Sequence, residues 1–146
     1  MSKAESAELI LKLYELRRED TMREARNWMI SFFPESGQDI VQALMNTETS
    51  AFYRMVMSYW DMAASFVNHG AIEEEMFTDA NAEHFVVFAK IEPFLPELRE
   101  TFGNPNMLAN LEKLVMRQPN AKERLAKSRE SMKSVMKARA EMSQSA

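Results

Sequence analysis

Apolar residues recur along this chain at the three- and four-residue spacing of an α-helix, and no segment shows the strict alternation of a strand. In residues 5–33, large apolar side chains repeat at helical spacing while charged side chains fill the opposite face. Pro34 and Gly37 should end this segment, because proline lacks a backbone N–H and glycine favours a break. The pattern therefore predicts one long first helix.

Two further helices should follow, each bounded by residues that start or stop a helix. A short helix is expected over 38–46, and a longer one from Thr47 or Thr49, whose hydroxyl oxygens can accept the unpaired amides of a first turn. This third helix should end at His69, because Gly70 stands where a left-handed helix end favours glycine.

The fourth helical segment, residues 72–101, is the one whose pattern is interrupted. Glutamates 73–75 lie in its first turn, where the helix dipole favours negative charge. Pro93 and Pro96 must kink or restart the helix, because a proline clashes with the preceding turn. A fifth helix is expected over 105–117.

The last segment, residues 119–146, is prone to form a helix but carries few large apolar side chains. A 4-3 spacing places in one seam Leu125, Ser128, Met132, Val135, Arg139 and Met142. Serine and arginine make this a poor coiled-coil seam, so we expect an exposed or lightly docked basic helix, with partial disorder as the alternative. The sequence thus predicts an all-α bundle of five or six helices with a kinked fourth region in residues 1–118, and a basic helical extension in 119–146.

Composition narrows the class of protein. The 146 residues are 46% hydrophobic and 27% charged, which is ordinary for one globular domain, and no cysteine is present to form a disulfide or a thiolate site. No stretch approaches the ~20 apolar residues of a membrane span. The N-terminal apolar run is broken by Lys12 and Glu15, unlike a signal peptide. We therefore expect a soluble, cytoplasmic protein.

Charge is distributed unevenly along the chain. Residues 27–100 carry twelve acidic and three basic residues, whereas residues 120–146 carry seven basic and three acidic ones. We expect the basic segment to dock on an acidic body, either in its own chain or in a neighbour's. Nucleic acid is not the expected partner, because the body is acidic and no aromatic side chains interleave with the basic residues of the C-terminal segment.

A narrow polar strip follows one side of the third helix. Its members, at spacings of four and three, are Arg54, Ser58, Asp61, Ser65 and Asn68. Three interpretations of Asp61 stay open. It faces solvent, it meets a first-helix arginine such as Arg18, Arg23 or Arg26 in a partly buried contact, or it contacts a ligand.

Candidate chemistry is sparse. The two histidines, His69 and His84, have no glutamate three residues before them, so the helical di-metal pattern is absent. Asp61, His69 and Glu73 are left as candidate ligand or metal contacts. No nucleophile elbow, P-loop or dinucleotide fingerprint is present, so we predict no catalytic residue and no cofactor, and do not expect an enzyme.

Three stretches resemble a known family: "LYELRREDTMREARNWMISFF", "FYRMVMSYWDMAASFVNHGAIEEEMF" and "FLPELRE". They are similar to a family of uncharacterised bacterial all-helical domains of unknown function, over about residues 9–117. The matching features are the aromatic–acid pair Trp60-Asp61, the stop at Gly70 and the later Arg99. The resemblance brings no reaction with it, and it implies a structural pair between Asp61 and the first-helix arginines.

These observations favour a non-enzymatic helical interaction or regulatory module that self-associates through helix faces. Its expected partner is a second copy or another protein. The alternative is a small-molecule or metal-binding bundle, with Asp61, His69 and the glutamates 73–75 near a cavity.

Overall fold

A computed structural model describes residues 2–145, and within them the chain is almost entirely helical, with no strand. In chain order the helices are α1 (Lys3–Arg17), α2 (Asp20–Ser31), α3 (Gly37–Met45), α4 (Thr47–Asn68), α5 (Glu74–Ala80), α6 (Glu83–Ile91), α7 (Leu95–Thr101), α8 (Ala109–Met116) and α9 (Ala121–Ser145). The predicted all-α bundle is confirmed. The chain is cut into more helices than the five or six expected, and two interruptions explain most of the difference.

The first interruption divides the long helix predicted over residues 5–33 into α1 and α2. Glu19 is extended, and its carboxylate accepts hydrogen bonds from the backbone N–H groups of Thr21 and Met22, at 3.1 and 2.9 Å. These bonds hold the pKa of the Glu19 carboxyl below its usual value. They also satisfy two amides that a helix start leaves unpaired, so a new helix begins here.

The second interruption divides the predicted segment 72–101 into α5, α6 and α7. The chain is extended at Asn81, whose buried side chain donates to the Phe77 carbonyl at 3.0 Å. Pro93 lies in a short 3-10 turn, Glu92–Phe94, between α6 and α7. Pro96 lies in the first turn of α7, where a missing N–H breaks no helical bond.

The core forms around α4, which packs against α2, α3 and α8. Its buried positions recur at helical spacing and are Tyr53, Val56, Met57, Tyr59, Trp60, Ala63, Ala64 and Val67. Asn46 caps the helix in place of the predicted threonines, because its Oδ1 accepts from the amides of Glu48 and Thr49. Gly70 follows the helix with φ +80°, which confirms the left-handed end predicted there.

The C-terminal helix α9 lies against α6 for only part of its length. Leu125 is fully buried, and Arg129 donates to the Ala89 carbonyl at 2.9 Å and lies 3.6 Å from Glu92. From Lys133 onward most side chains are exposed. The helix is about 37 Å long at 1.5 Å per residue, so roughly half of it has little contact with the body. No helix among the described residues combines the length and apolar character needed to cross a membrane.

Candidate functional site

Asp61, the acid of the predicted strip, caps the helix that packs beside it. Its Oδ1 accepts a hydrogen bond from the Leu111 backbone N–H at 2.9 Å, and its Oδ2 accepts from Asn110 Nδ2 at 3.2 Å. Leu108, the residue before α8, has φ +54° and makes no side-chain cap of its own. Asp61 therefore supplies from α4 the acceptor that the first turn of α8 lacks.

The expected contact between Asp61 and a first-helix arginine is not formed. Within residues 2–145 Asp61 makes no ion pair, and the carboxylate that Arg26 meets is Glu83. Arg18 and Arg23 are exposed. The pairing inferred from the resemblance is thus wrong, because the hydrogen-bonding side of Asp61 faces α8 rather than α1 and α2.

Arg54 and Ser58 line one opening together with Asp61, but the five members of the strip differ in what they contact. Asn68 Nδ2 donates to a carbonyl in the first turn of α8, at 3.0 Å. Ser58 donates to the Arg54 carbonyl one turn earlier, and Ser65 Oγ lies 3.4 Å from Nδ1 of His69, the residue that follows the helix. Two positions of the strip therefore join α4 to α8, while three make contacts within α4.

The three candidate ligand residues are not gathered around one point. His69 Nδ1 lies 2.8 Å from the Ser65 carbonyl, at the exposed end of α4. Glu73 donates its backbone N–H to the buried hydroxyl of Ser6, at 3.1 Å, and so links α5 to α1. In the described part of the chain no three His, Cys, Asp or Glu side chains lie close enough to hold a metal ion. Both carboxylate oxygens of Asp61 already accept hydrogen bonds from α8.

A polar network that the sequence did not reveal lies beneath α1 and α2. Glu83 accepts Arg26 Nε through both carboxylate oxygens, at 3.1 and 3.0 Å. The same carboxylate accepts Trp60 Nε1 at 3.1 Å, which satisfies the only polar atom of a fully buried indole. Glu83 thus ties α6 to both α2 and α4.

His84 lies beside this network in an aromatic environment. Its ring centroid is 5.7 Å from that of Trp60 and 5.0 Å from that of Phe77. Burial lowers the pKa of His84 to about 4, and the positive charge of Arg17 acts in the same direction. The imidazole is therefore neutral near pH 7, and its Nδ1 has no hydrogen-bond partner.

Lys90 is a buried cation at the end of α2, with 4% of its surface exposed. Its ammonium donates to the carbonyls of Met29 and Ile30 and lies 4.3 Å from the centre of the Phe33 ring. Burial lowers the pKa of Lys90 to about 8, although the charge of Glu83 opposes this shift. The lysine thus serves as a C-terminal cap delivered from α6.

A groove of about 200 Å³ lies over Lys90, between α2, α6 and α9. Ile30 and Val135 line it and are each about half exposed. Its other apolar walls include Met29, Val86, Val87, Met132 and Met136. The groove lies where α9 and α2 are not packed against each other.

Comparisons with curated proteins and with solved structures give no match. A family model described as Domain of unknown function (DUF4760) matches residues 3–118, which is most of the chain and ends just before α9. The resemblance to a family of uncharacterised domains of unknown function is thereby confirmed. This chain belongs to the DUF4760 family of domains of unknown function.

Proposed function

We propose that this protein is a non-enzymatic helical interaction or regulatory module that self-associates through the outer half of α9. One observation carries the proposal: the apolar residues of the α9 seam, which Ser128 and Arg139 interrupt, are buried at its start and exposed farther along. Leu125 of that seam is fully buried, whereas Val135 and Met142 are 47% and 72% exposed. Exposed apolar side chains of this kind on a projecting helix favour association, since an isolated helix is marginally stable in water.

A second copy of the chain is the partner that the charges favour. In the part of α9 near the body, basic side chains already lie close to a carboxylate: Lys122 and Arg129 are 4.0 and 3.6 Å from Glu92. Farther out, Lys133 and Lys137 make no ion pair within residues 2–145. The acidic body of a neighbouring copy offers matching charge.

Pairing α9 with another α9 is the less favourable arrangement. It sets one basic helix against another, and like charges brought together oppose binding. In an exchange, each α9 lies on the acidic body of the other copy, so the basic side chains of both copies face acidic ones. Such an exchange closes with two-fold symmetry, so it predicts a dimer rather than a filament.

Light scattering on the full chain during size exclusion tests the apolar part of the proposal. The variant carrying Val135→Ser and Met142→Ser should weaken the dimer by at least about tenfold, which corresponds to roughly 1.4 kcal/mol. The matched control carries Leu11→Ser and Met45→Ser, two comparably exposed positions on α1 and α3. A wild-type chain that stays monomeric up to about 1 mM would contradict self-association.

Charge reversal tests which surface α9 meets. Lys133→Glu with Lys137→Glu should dissociate the dimer, and added salt should weaken the wild-type dimer by screening the same charges. Lys12→Glu with Lys113→Glu makes the same change in net charge away from α9. A dimer that forms more tightly after reversal on α9 would indicate basic helices facing each other, and would exclude the exchange.

The groove over Lys90 favours a second candidate function, the binding of a small apolar carboxylate. Apolar walls with a few charged groups, here Lys90, Arg26 and Arg139 beside Glu83, are typical of ligand pockets, although about 200 Å³ admits only a short chain. Butyrate is a suitable probe. NMR titration with butyrate should give saturable shifts of the methionine methyl signals. Loss of these shifts in Lys90→Met, with their retention in Lys113→Met, would support carboxylate binding. Shifts that persist in Lys90→Met would exclude it.

A further inference from the structure

The corner between α1 and α2 holds a pocket walled almost entirely by arginine. Its lining residues are Tyr14, Arg17, Arg18, Arg23 and Arg26, and its volume is about 350 Å³. The sequence separates these arginines into two pairs, and the turn at Arg18 and Glu19 brings both pairs to one place. Guanidinium groups repel one another, so such a convergence makes this corner a candidate site for an anion.

The neighbouring carboxylates do not supply that charge. Within residues 2–145 only Arg26 of the four arginines is in an ion pair, and its partner is Glu83. Glu19, the nearest acid along the chain, has both carboxylate oxygens turned to the first amides of α2. Arg17, Arg18 and Arg23 are therefore left as three uncompensated positive charges around one opening.

Part of this wall is held in place before any ligand arrives. The guanidinium carbon of Arg17 lies 5.4 Å from the centre of the Tyr14 ring and 5.2 Å from that of Trp60. Arg26 is fixed by Glu83 and donates through Nη1 to the Arg17 carbonyl, at 3.3 Å. The buried Arg17 Nε has no hydrogen-bond partner. Stacked and anchored guanidinium groups lose little freedom on binding, which favours planar, multidentate recognition of an anion.

We propose that the arginine pocket binds a phosphate group, either as inorganic phosphate or as the phosphomonoester of a small molecule. Three uncompensated charges exceed what one carboxylate neutralises, whereas a phosphate carries about −1.5 to −2 near pH 7 and offers three strong acceptor oxygens. Arg17 forms the rigid floor, and Arg18 and Arg23, which are exposed, supply further donors from the two sides. The site involves no residue of α9, so it stands independently of self-association.

Calorimetric titration of the full chain with inorganic phosphate, ribose 5-phosphate and acetate, at constant ionic strength, tests the proposal. Phosphate or the phosphomonoester should bind saturably and acetate should not. Arg18→Gln with Arg23→Gln should weaken binding at least about tenfold, since each charge-assisted contact is among the stronger hydrogen bonds. Arg54→Gln with Lys113→Gln removes the same two charges elsewhere and should leave the affinity unchanged. Circular dichroism checks that both variants fold.

Each outcome bears on the site. Equal binding of both phosphates identifies the inorganic group as sufficient, and binding of ribose 5-phosphate alone identifies a phosphorylated metabolite as the source. Acetate binding as tightly as phosphate, or full affinity in the Arg18 and Arg23 variant, would overturn the proposal. So would binding to heparin or DNA with none to either small phosphate, because a diffuse basic surface would then account for it.

Discussion

Asp61 lies 2.9 Å from the backbone nitrogen of Leu111 and closes the N-terminus of α8, fifty residues away along the chain. Leu108 precedes α8 in a left-handed conformation and makes no side-chain cap, so α8 depends on α4 for this acceptor. The contact also adds a negative charge where the helix dipole favours one. Asp61 is therefore a structural residue that joins two helices.

Removing this cap should destabilise the protein. We expect Asp61→Ala to lower the free energy of unfolding by about 1–2 kcal/mol, because α8 loses an acceptor for a first-turn amide. Asp79→Ala alters an exposed acid of α5 and should change stability by less than about 0.5 kcal/mol. Urea unfolding followed by circular dichroism measures both. Equal effects in the two variants would show that the cap contributes nothing beyond the loss of one acid.

The Arg26–Glu83 pair should be coupled energetically, because it is partly shielded and shares its carboxylate with Trp60. Glu83→Gln keeps an oxygen for the indole but removes the charge, and we expect it to cost about 1–3 kcal/mol. A double-mutant cycle with Arg26→Gln should give a coupling energy above about 0.5 kcal/mol. The more exposed pair Arg117–Glu74, at 2.7 Å, supplies the control cycle and should give a smaller coupling energy. Additive effects at Arg26 and Glu83 would contradict the coupling.

His84 should make the protein less stable as the pH falls below about 6.5. Its pKa is lowered from 6.5 to about 4 in the folded chain, so between these values the unfolded chain binds a proton that the folded chain does not. Stability must therefore fall with decreasing pH across this window, by up to about 3 kcal/mol, and the contribution of His84 levels off below it. Above pH 6.5 the group is neutral in both states and adds no slope.

Two variants isolate that contribution from the acids that titrate nearby. His84→Phe should flatten the dependence of the unfolding free energy on pH between about 6.5 and 4.5. His69→Phe removes an exposed histidine and should keep the wild-type slope. Parallel curves for wild type and His84→Phe would mean that His84 titrates normally in the folded protein.

Much of the helical pattern was readable from the sequence, because it depends on local periodicity. The helical repeat of α4 and the stop at Gly70 follow from spacing and from the conformational freedom of glycine. The break at Glu19 was missed because glutamate is not among the preferred N-terminal caps, so nothing in the local pattern marked it. The apolar repeat of residues 5–33 is compatible both with one straight helix and with two helices that meet at a corner.

The candidate site was predicted less well, for a physical reason. Asp61 meets a backbone amide, and a backbone amide has no signature in the sequence. Arg26 and Glu83 are 57 residues apart, and no periodic rule joins side chains that meet only after several helices have packed. The five residues of the polar strip lie on α4, but their partners depend on which helix packs beside it.

Lys90 should be needed to end α2, although burying its charge is costly. Pro34 stands four residues after Ile30 and has no N–H, so it cannot donate to the Ile30 carbonyl, and Lys90 Nζ does so at 3.1 Å. Lys90→Met leaves that carbonyl without this donor, and we expect a loss of about 1–3 kcal/mol together with faster amide hydrogen exchange near the end of α2. Lys113→Met, at an exposed position on α8, should change neither quantity. A Lys90→Met protein more stable than wild type would show instead that desolvation of the ammonium outweighs the cap.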